Sequence, residues 1–213
     1  MNRCAALVIA AALLVALLTA PASAGNWTGG LKAGLNVADA YGDDAEGAGS
    51  RVGLIAGGFF GYRFTDYFTI QHEILFSMKG SEGSHMNFFG GDRNVMIRLA
   101  YLEVPVLARF TVPLAGRWKP GIFAGPAFSL LVYDNAEYEM YGKTVDMDID
   151  EYIKSADIGF VFGMCLECDQ GRGRTLVDIR YELGMINVPD DTEYMDLELK
   201  NSTLSIMIGY AFR

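Results

Sequence analysis

The chain has 213 residues, with 17 Lys+Arg against 26 Asp+Glu and a formal net charge of −9. So acidic a balance argues against nucleic-acid binding, which needs clustered positive charge. Its length past the N-terminal leader, about 190 residues, sets one domain. Its 25 glycines, 13 phenylalanines and 11 tyrosines suit alternating strands with small-residue gaps and aromatic ends.

Arg3 gives a positive start, Ala5 to Leu18 is an uninterrupted apolar run, and Ala22, Ser23 and Ala24 precede Gly25. This is the pattern of a secretory signal peptide over 1–24, cut before Gly25, with one mature domain over 25–213. Cys4 lies before the apolar run, so it is no lipid-modification site and leaves with the leader. Losing Arg3 leaves 16 Lys+Arg against 26 Asp+Glu, a net charge of −10.

The mature stretch alternates between strands and connections. Trp27 to Ala38 sets Leu31, Ala33, Leu35 and Val37 against Gly30, Lys32, Gly34 and Asn36, and a Gly/Asp/Ala loop follows to Ser50. Val52 to Phe64 alternates in the same way, and only Thr65 and Asp66 separate it from the next strand, a tight turn. Tyr67 to Lys79 puts Phe68, Ile70, Ile74, Phe76 and Met78 opposite Thr69, Gln71, Glu73, Ser77 and Lys79. A polar loop runs to Asn94, and Val95 to Phe110 is the fourth strand. After a short connection, Lys119 to Tyr133 is the fifth.

Asp134 to Ser155 reads as the longest loop, acidic and tyrosine-rich. Ala156 to Cys168 and Thr175 to Val188 are strands six and seven, joined by a Gly/Arg turn. After an acidic loop over Pro189 to Lys200, Asn201 to Arg213 closes the chain. In that last strand Leu204, Ile206, Ile208, Tyr210 and Phe212 share one face, and Thr203, Ser205, Met207, Gly209 and Ala211 share the other. Pro105 and Pro126 each remove a ladder hydrogen bond, which predicts local bulges.

Eight strands with short and long connections in alternation predict an all-β, eight-stranded antiparallel up-and-down transmembrane β-barrel. A soluble lipocalin-like barrel also has eight strands. It would turn its charged face to water, where the glycines of that face gain nothing; in a narrow lumen they make room for large charged neighbours.

The stretches FTIQHEILFSMKG (68–80), YLEVP (101–105), AGP (124–126), DIRYELG (178–184) and GYAF (209–212) carry a resemblance. Together they resemble the bacterial outer-membrane β-barrel families of the PorT-like and OmpA-like kind, eight-stranded members of the porin superfamily. His72 stands where such families often have proline, and Arg213 follows the terminal aromatic. The resemblance implies the fold and a bacterial outer-membrane location, and leaves the role open.

The polar face carries Lys32, Arg63, Lys79, Arg109 and Arg180, against Glu73, Glu103, Asp157, Glu167, Asp178 and Glu182. In a lumen that side chains can just fill, such charges are paired or hydrated. They predict a charge-paired plug, with Arg180 and Arg109 as the positive centre holding Glu73, Glu103, Asp178 and Glu182. The expected role is structural or surface-interacting; a narrow porin for ions or small solutes is the alternative.

A lipid-modifying outer-membrane enzyme is the third choice. Of the mature chain's histidines, His72 has outward parity, and His85 follows Ser84 directly, where neighbours on an extended chain point apart. No catalytic triad is visible, so no enzyme activity is expected.

Cys165 and Cys168 offer a possible disulfide. Three residues along a strand span roughly 10 Å, so the bond forms only if the strand ends at Leu166 and turns; otherwise both thiols are free. Asp146, Asp148 and Asp150 alternate as weak calcium candidates, but Glu151 replaces the glycine of a helix-loop site and solvated surface charge is the plainer account. Asp190, Asp191 and Glu193 stand in the next acidic loop. No cofactor is expected. The expected partners are outer-membrane lipid, the outer-membrane assembly machinery and an unidentified extracellular ligand met by the acidic loops.

Overall fold

The computed structural model describes residues 26–42, 48–83, 95–114, 116–140, 143–147, 153–187 and 200–212. The leader and its junction at Gly25 lie outside the described residues, as do Ser84, His85, Asp148, Asp150, Glu151, Asp190, Asp191, Glu193 and Arg213.

Alternation of apolar with small or polar residues is the local cause of the strands, because successive side chains point to opposite faces. Those described are β1 (Trp27–Tyr41), β2 (Ala48–Arg63), β3 (Phe68–Gly83), β4 (Val95–Thr111), β5 (Trp118–Met140), β6 (Lys143–Met147), β7 (Ala156–Asp169), β8 (Gly173–Gly184) and β9 (Lys200–Phe212). Each of β1 to β5 pairs antiparallel with the next, β5 continues to β7, and β7 leads through β8 to β9. Pairing of β9 with β1, from Gly29 opposite Phe212 to Tyr41 opposite Lys200, closes an eight-stranded barrel. Closure leaves no open sheet edge in the wall, which a membrane requires of any strand that crosses it.

The ninth strand corrects the long loop expected over Asp134 to Ser155. β5 pairs with β7 only as far as Leu130, and its outer part, Ala136 to Met140, pairs with β6. The sequence of this hairpin, acidic and tyrosine-rich, lacks the apolar alternation of the wall strands, so it reads as loop.

The prolines do not produce the expected bulges. Pro105 lies opposite Ala127, and the same register resumes at Ala108 opposite Ala124, so the β4–β5 ladder is interrupted without gaining a residue. The register shifts fall instead at Ala100/Tyr101 and at Ser50/Ile55. Beside the interruption Gly125 is required: a Cβ there would collide with the Val106 carbonyl oxygen.

The outward face is apolar on every wall strand, with Leu35 54 %, Ile122 61 % and Ile208 62 % exposed. The short β2–β3, β4–β5 and β7–β8 connections share one end with Trp27 and Phe212. That end carries an arc of touching rings: Trp27 with Tyr62, Tyr62 with Phe64, Phe64 with Phe68, and Phe68 with Phe110, at 4.8 to 5.7 Å between centroids. Aromatic girdles of this kind mark the membrane–water boundary.

Candidate functional site

The interior is the candidate site, and its residues come from the inward parity of every wall strand. In the middle layer Glu73 on β3 and Asp178 on β8 hold three cations. Lys32 Nζ on β1 donates to Glu73 Oε1 at 2.6 Å and to Asp178 Oδ2 at 2.7 Å. Arg109 on β4 forks onto both Asp178 oxygens at 3.1 and 3.0 Å. Arg180 on β8 forks onto Glu73 at 2.8 and 3.3 Å and reaches Asp178 at 3.5 Å. Gln71 Nε2 adds a 2.6 Å bond to Glu73 Oε1.

These residues are 4 % exposed or less. Two-pronged arginine–carboxylate bonds are the strong form of such contacts. They meet part of the demand that a buried ion pair makes, while the Nε of Arg109 and of Arg180 is buried without a hydrogen-bond partner. Both guanidinium groups also lie over the Phe123 ring, 5.0 and 5.5 Å from its centroid.

A second group lies towards the long-connection end. Lys79 Nζ sits 2.7 Å from Glu103 Oε1 and 2.8 Å from Glu182 Oε1, over the Tyr101 ring. The single centre expected around both arginines is therefore two groups. Glu103 lies six residues from Arg109 along β4, roughly 20 Å of strand, beyond reach of the arginines, so Lys79 takes it together with Glu182. Asp157, also buried, accepts from the Ile186 amide at 3.4 Å. Arg63 is half-buried at the short-turn end and takes part in neither group.

At that end Glu167 is shared, 2.7 Å from Arg174 and 3.8 Å from Arg109. Arg174 was placed in a turn by its sequence neighbours, but β8 begins one residue before it.

The interior is also more apolar than glycine and charge alone imply. Ile55, Leu75 and Met207 form one cluster, Phe59, Leu176 and Ala211 another, and Leu107, Phe123, Ala127, Val161 and Cys165 a third. At the mouth, Ile153, from the segment after β6, packs with Leu99, Tyr101, Leu131 and Ala136. The Leu131 amide donates to the Ser155 carbonyl at 2.8 Å and ties that segment down.

The disulfide does not form. β7 runs straight through both cysteines to Asp169, with Cys165 buried inside and Cys168 half-buried near its end, and both are free. Asp146 falls on β6, in register opposite Glu137, and the other two calcium candidates, Asp148 and Asp150, lie outside the described residues. His72, the one histidine among the described residues, stacks on Phe60 at 4.9 Å on the outer face, away from the interior charges.

Residues 20–190 match the family described as outer membrane protein beta-barrel domain. None of the curated proteins compared with the chain matches it. Among solved structures, the outer membrane protein OprG from Pseudomonas aeruginosa is 13 % identical, with 89 % of this chain and 95 % of that one covered at a TM-score of 0.50. Neisserial surface protein A is 13 % identical over 85 % of this chain and 95 % of its own, at 0.45. Ail, the attachment invasion locus protein of Yersinia pestis, is 13 % identical over 88 % and 100 %, at 0.43. Identities this low speak for the fold alone.

Proposed function

The chain belongs to the outer membrane protein beta-barrel family and lies in the bacterial outer membrane, and from that premise we propose that it is a closed barrel acting through its surface. The observation that carries this is the filled interior: Glu73 is 0 %, Arg109 1 % and Arg180 2 % exposed, each paired across the lumen. An ion path needs continuous water, and eight strands leave an interior that side chains fill. The Ile153 segment packed over the mouth supports the same conclusion.

On this proposal the protein is not an enzyme. Its charges serve as a lock that fixes the barrel's shape, and recognition falls to the outer end. Its partners are the surrounding lipid, the machinery that inserts it, and an extracellular ligand met by the acidic loops. Planar-bilayer recording of the purified protein tests the proposal. The expected trace is flat, and reproducible conductance steps would replace the closed barrel with a narrow porin.

A further inference from the structure

The chain is acidic overall, yet its short-turn end carries a basic patch on one side. Arg117 closes the β4–β5 connection, Lys119 follows it, Arg172 lies in the β7–β8 turn and Arg174 just beyond. The two connections are joined by a bond from the Asp169 amide to the Arg117 carbonyl at 3.0 Å.

The nearby carboxylates are already engaged. Asp169 pairs with Lys119 at 2.8 Å and with Arg174 at 3.2 Å, and Glu167 pairs with Arg174 at 2.7 Å. Arg117 and Arg172, both exposed, take no part in these pairs. The β2–β3 turn differs, since it sets Asp66 beside Arg63.

Above the patch the same wall is recessed. Ala108 on β4 and Ala124 on β5 are opposite each other in register, and these two small residues lower the surface between Phe110, Ile122 and Phe162. The resulting groove, about 520 Å³, extends to Met164 and Ile179. It is apolar and open along the wall, the form that suits a stretch of acyl chain lying against the strands. Trp118, 54 % exposed, stands between patch and groove and has the same outward parity as Ile122 and Ala124. From Lys119 to these residues is roughly 10–17 Å along the strand, the separation of a headgroup from its chains.

We propose that this wall binds an anionic phospholipid of the periplasmic leaflet, its phosphate on Arg117 and Arg172 and one acyl chain in the groove. Charge complementarity and continuity with the lipid-facing belt select this occupant. The patch sits at headgroup depth beside the aromatic arc, and a soluble acidic polymer would have no use for the groove above it. The site is independent of whether the lumen conducts.

The chain has two tryptophans, so Trp27→Phe leaves Trp118 as the only indole. The full-length protein carrying that change is folded into vesicles of phosphatidylcholine containing a small, equal mole fraction of brominated-chain phosphatidylglycerol or brominated-chain phosphatidylcholine. Trp118 is expected to be quenched at least about threefold more strongly by the brominated phosphatidylglycerol, the scale of basic-cluster attraction to anionic lipid. Arg117→Gln with Arg172→Gln abolishes the preference, and Ala124→Phe, which fills the groove and leaves every charge in place, reduces it. Heat-dependent gel mobility verifies that each barrel is folded.

Equal quenching by the two lipids in the unsubstituted arginine background overturns the proposal. So does a preference that survives the arginine pair, and an undiminished preference in Ala124→Phe removes the groove as the chain's seat. If quenching is equal and the arginine pair instead loses binding to isolated peptidoglycan, the patch serves an acidic cell-wall polymer and the lipid site is wrong.

Discussion

Asp178 is the residue on which the middle layer turns, and Asp178→Asn tests the lock with almost no change of shape. The layer sets Lys32, Arg109 and Arg180 against Glu73 and Asp178, and Asp178 touches all three cations between 2.7 and 3.5 Å. The substitution leaves Glu73 as the one carboxylate of the layer, and the ion pair left to Arg109 is the longer one to Glu167, at 3.8 Å. Removing one partner of a buried pair costs about 3–5 kcal/mol. The asparagine oxygen still accepts hydrogen bonds, so the lower figure, about 3 kcal/mol, is expected. With a slope of about 2 kcal/mol per molar urea, that lowers the unfolding midpoint by about 1.5 M.

Unfolding in lipid vesicles, followed by heat-dependent gel mobility, reads the midpoint. Asp66→Asn, at an exposed turn, is the control and should shift stability by less than about 0.5 kcal/mol. Lys32→Met added to Asp178→Asn removes one excess cation and should recover part of the loss, a coupling expected only of groups in contact. If Asp178→Asn unfolds with the Asp66→Asn control, the interior is wet, the lock is wrong and the narrow porin gains.

Three further outcomes are expected. Ile153→Ala should cost about 2–5 kcal/mol in the cluster at the mouth, and the Leu131 amide, which bonds to Ser155, should exchange with solvent faster while the middle-layer strands stay protected. Gly125→Val should abolish the heat-modifiable folded band, because its Cβ meets the Val106 carbonyl, whereas Ala124→Val on the outward face should keep it. N-terminal sequencing of the protein recovered from outer membranes should begin at Gly25; retention of the leader would refute the expected cleavage.

What the sequence states plainly is parity, and the outward band, the inward charges and the eight wall strands all follow from it. What parity cannot state is which inward residues stand at the same height. Arg109 and Glu103 share a face of β4, yet they join different ion groups, because the barrel's register sets Asp178 near one and Lys79 near the other. Ile55, Phe59 and Leu75 have inward parity that could have been read, but apolar residues on both faces of one strand hide which face meets lipid. Ile153 carried no signal: it lies in an acidic stretch without wall-strand alternation, and only the fold of the mouth gives it its packing partners.

The same limit explains why the outer groove has no sequence signature. Ala108 and Ala124 are ordinary outward alanines until β4 and β5 pair, and one residue of slip would turn one of them into the barrel. The bulge at Ala100/Tyr101 and the interruption beside Pro105 both lie in that ladder, and the register on either side of the interruption is the same. Proline there removes hydrogen bonds without adding a residue, so it leaves the two alanines opposed. The lipid-facing wall and this recess therefore depend on the same pairing. A barrel that keeps its interior locked by Asp178 and Glu73 keeps that pairing fixed, which couples the shape of the outer surface to charges buried inside the wall.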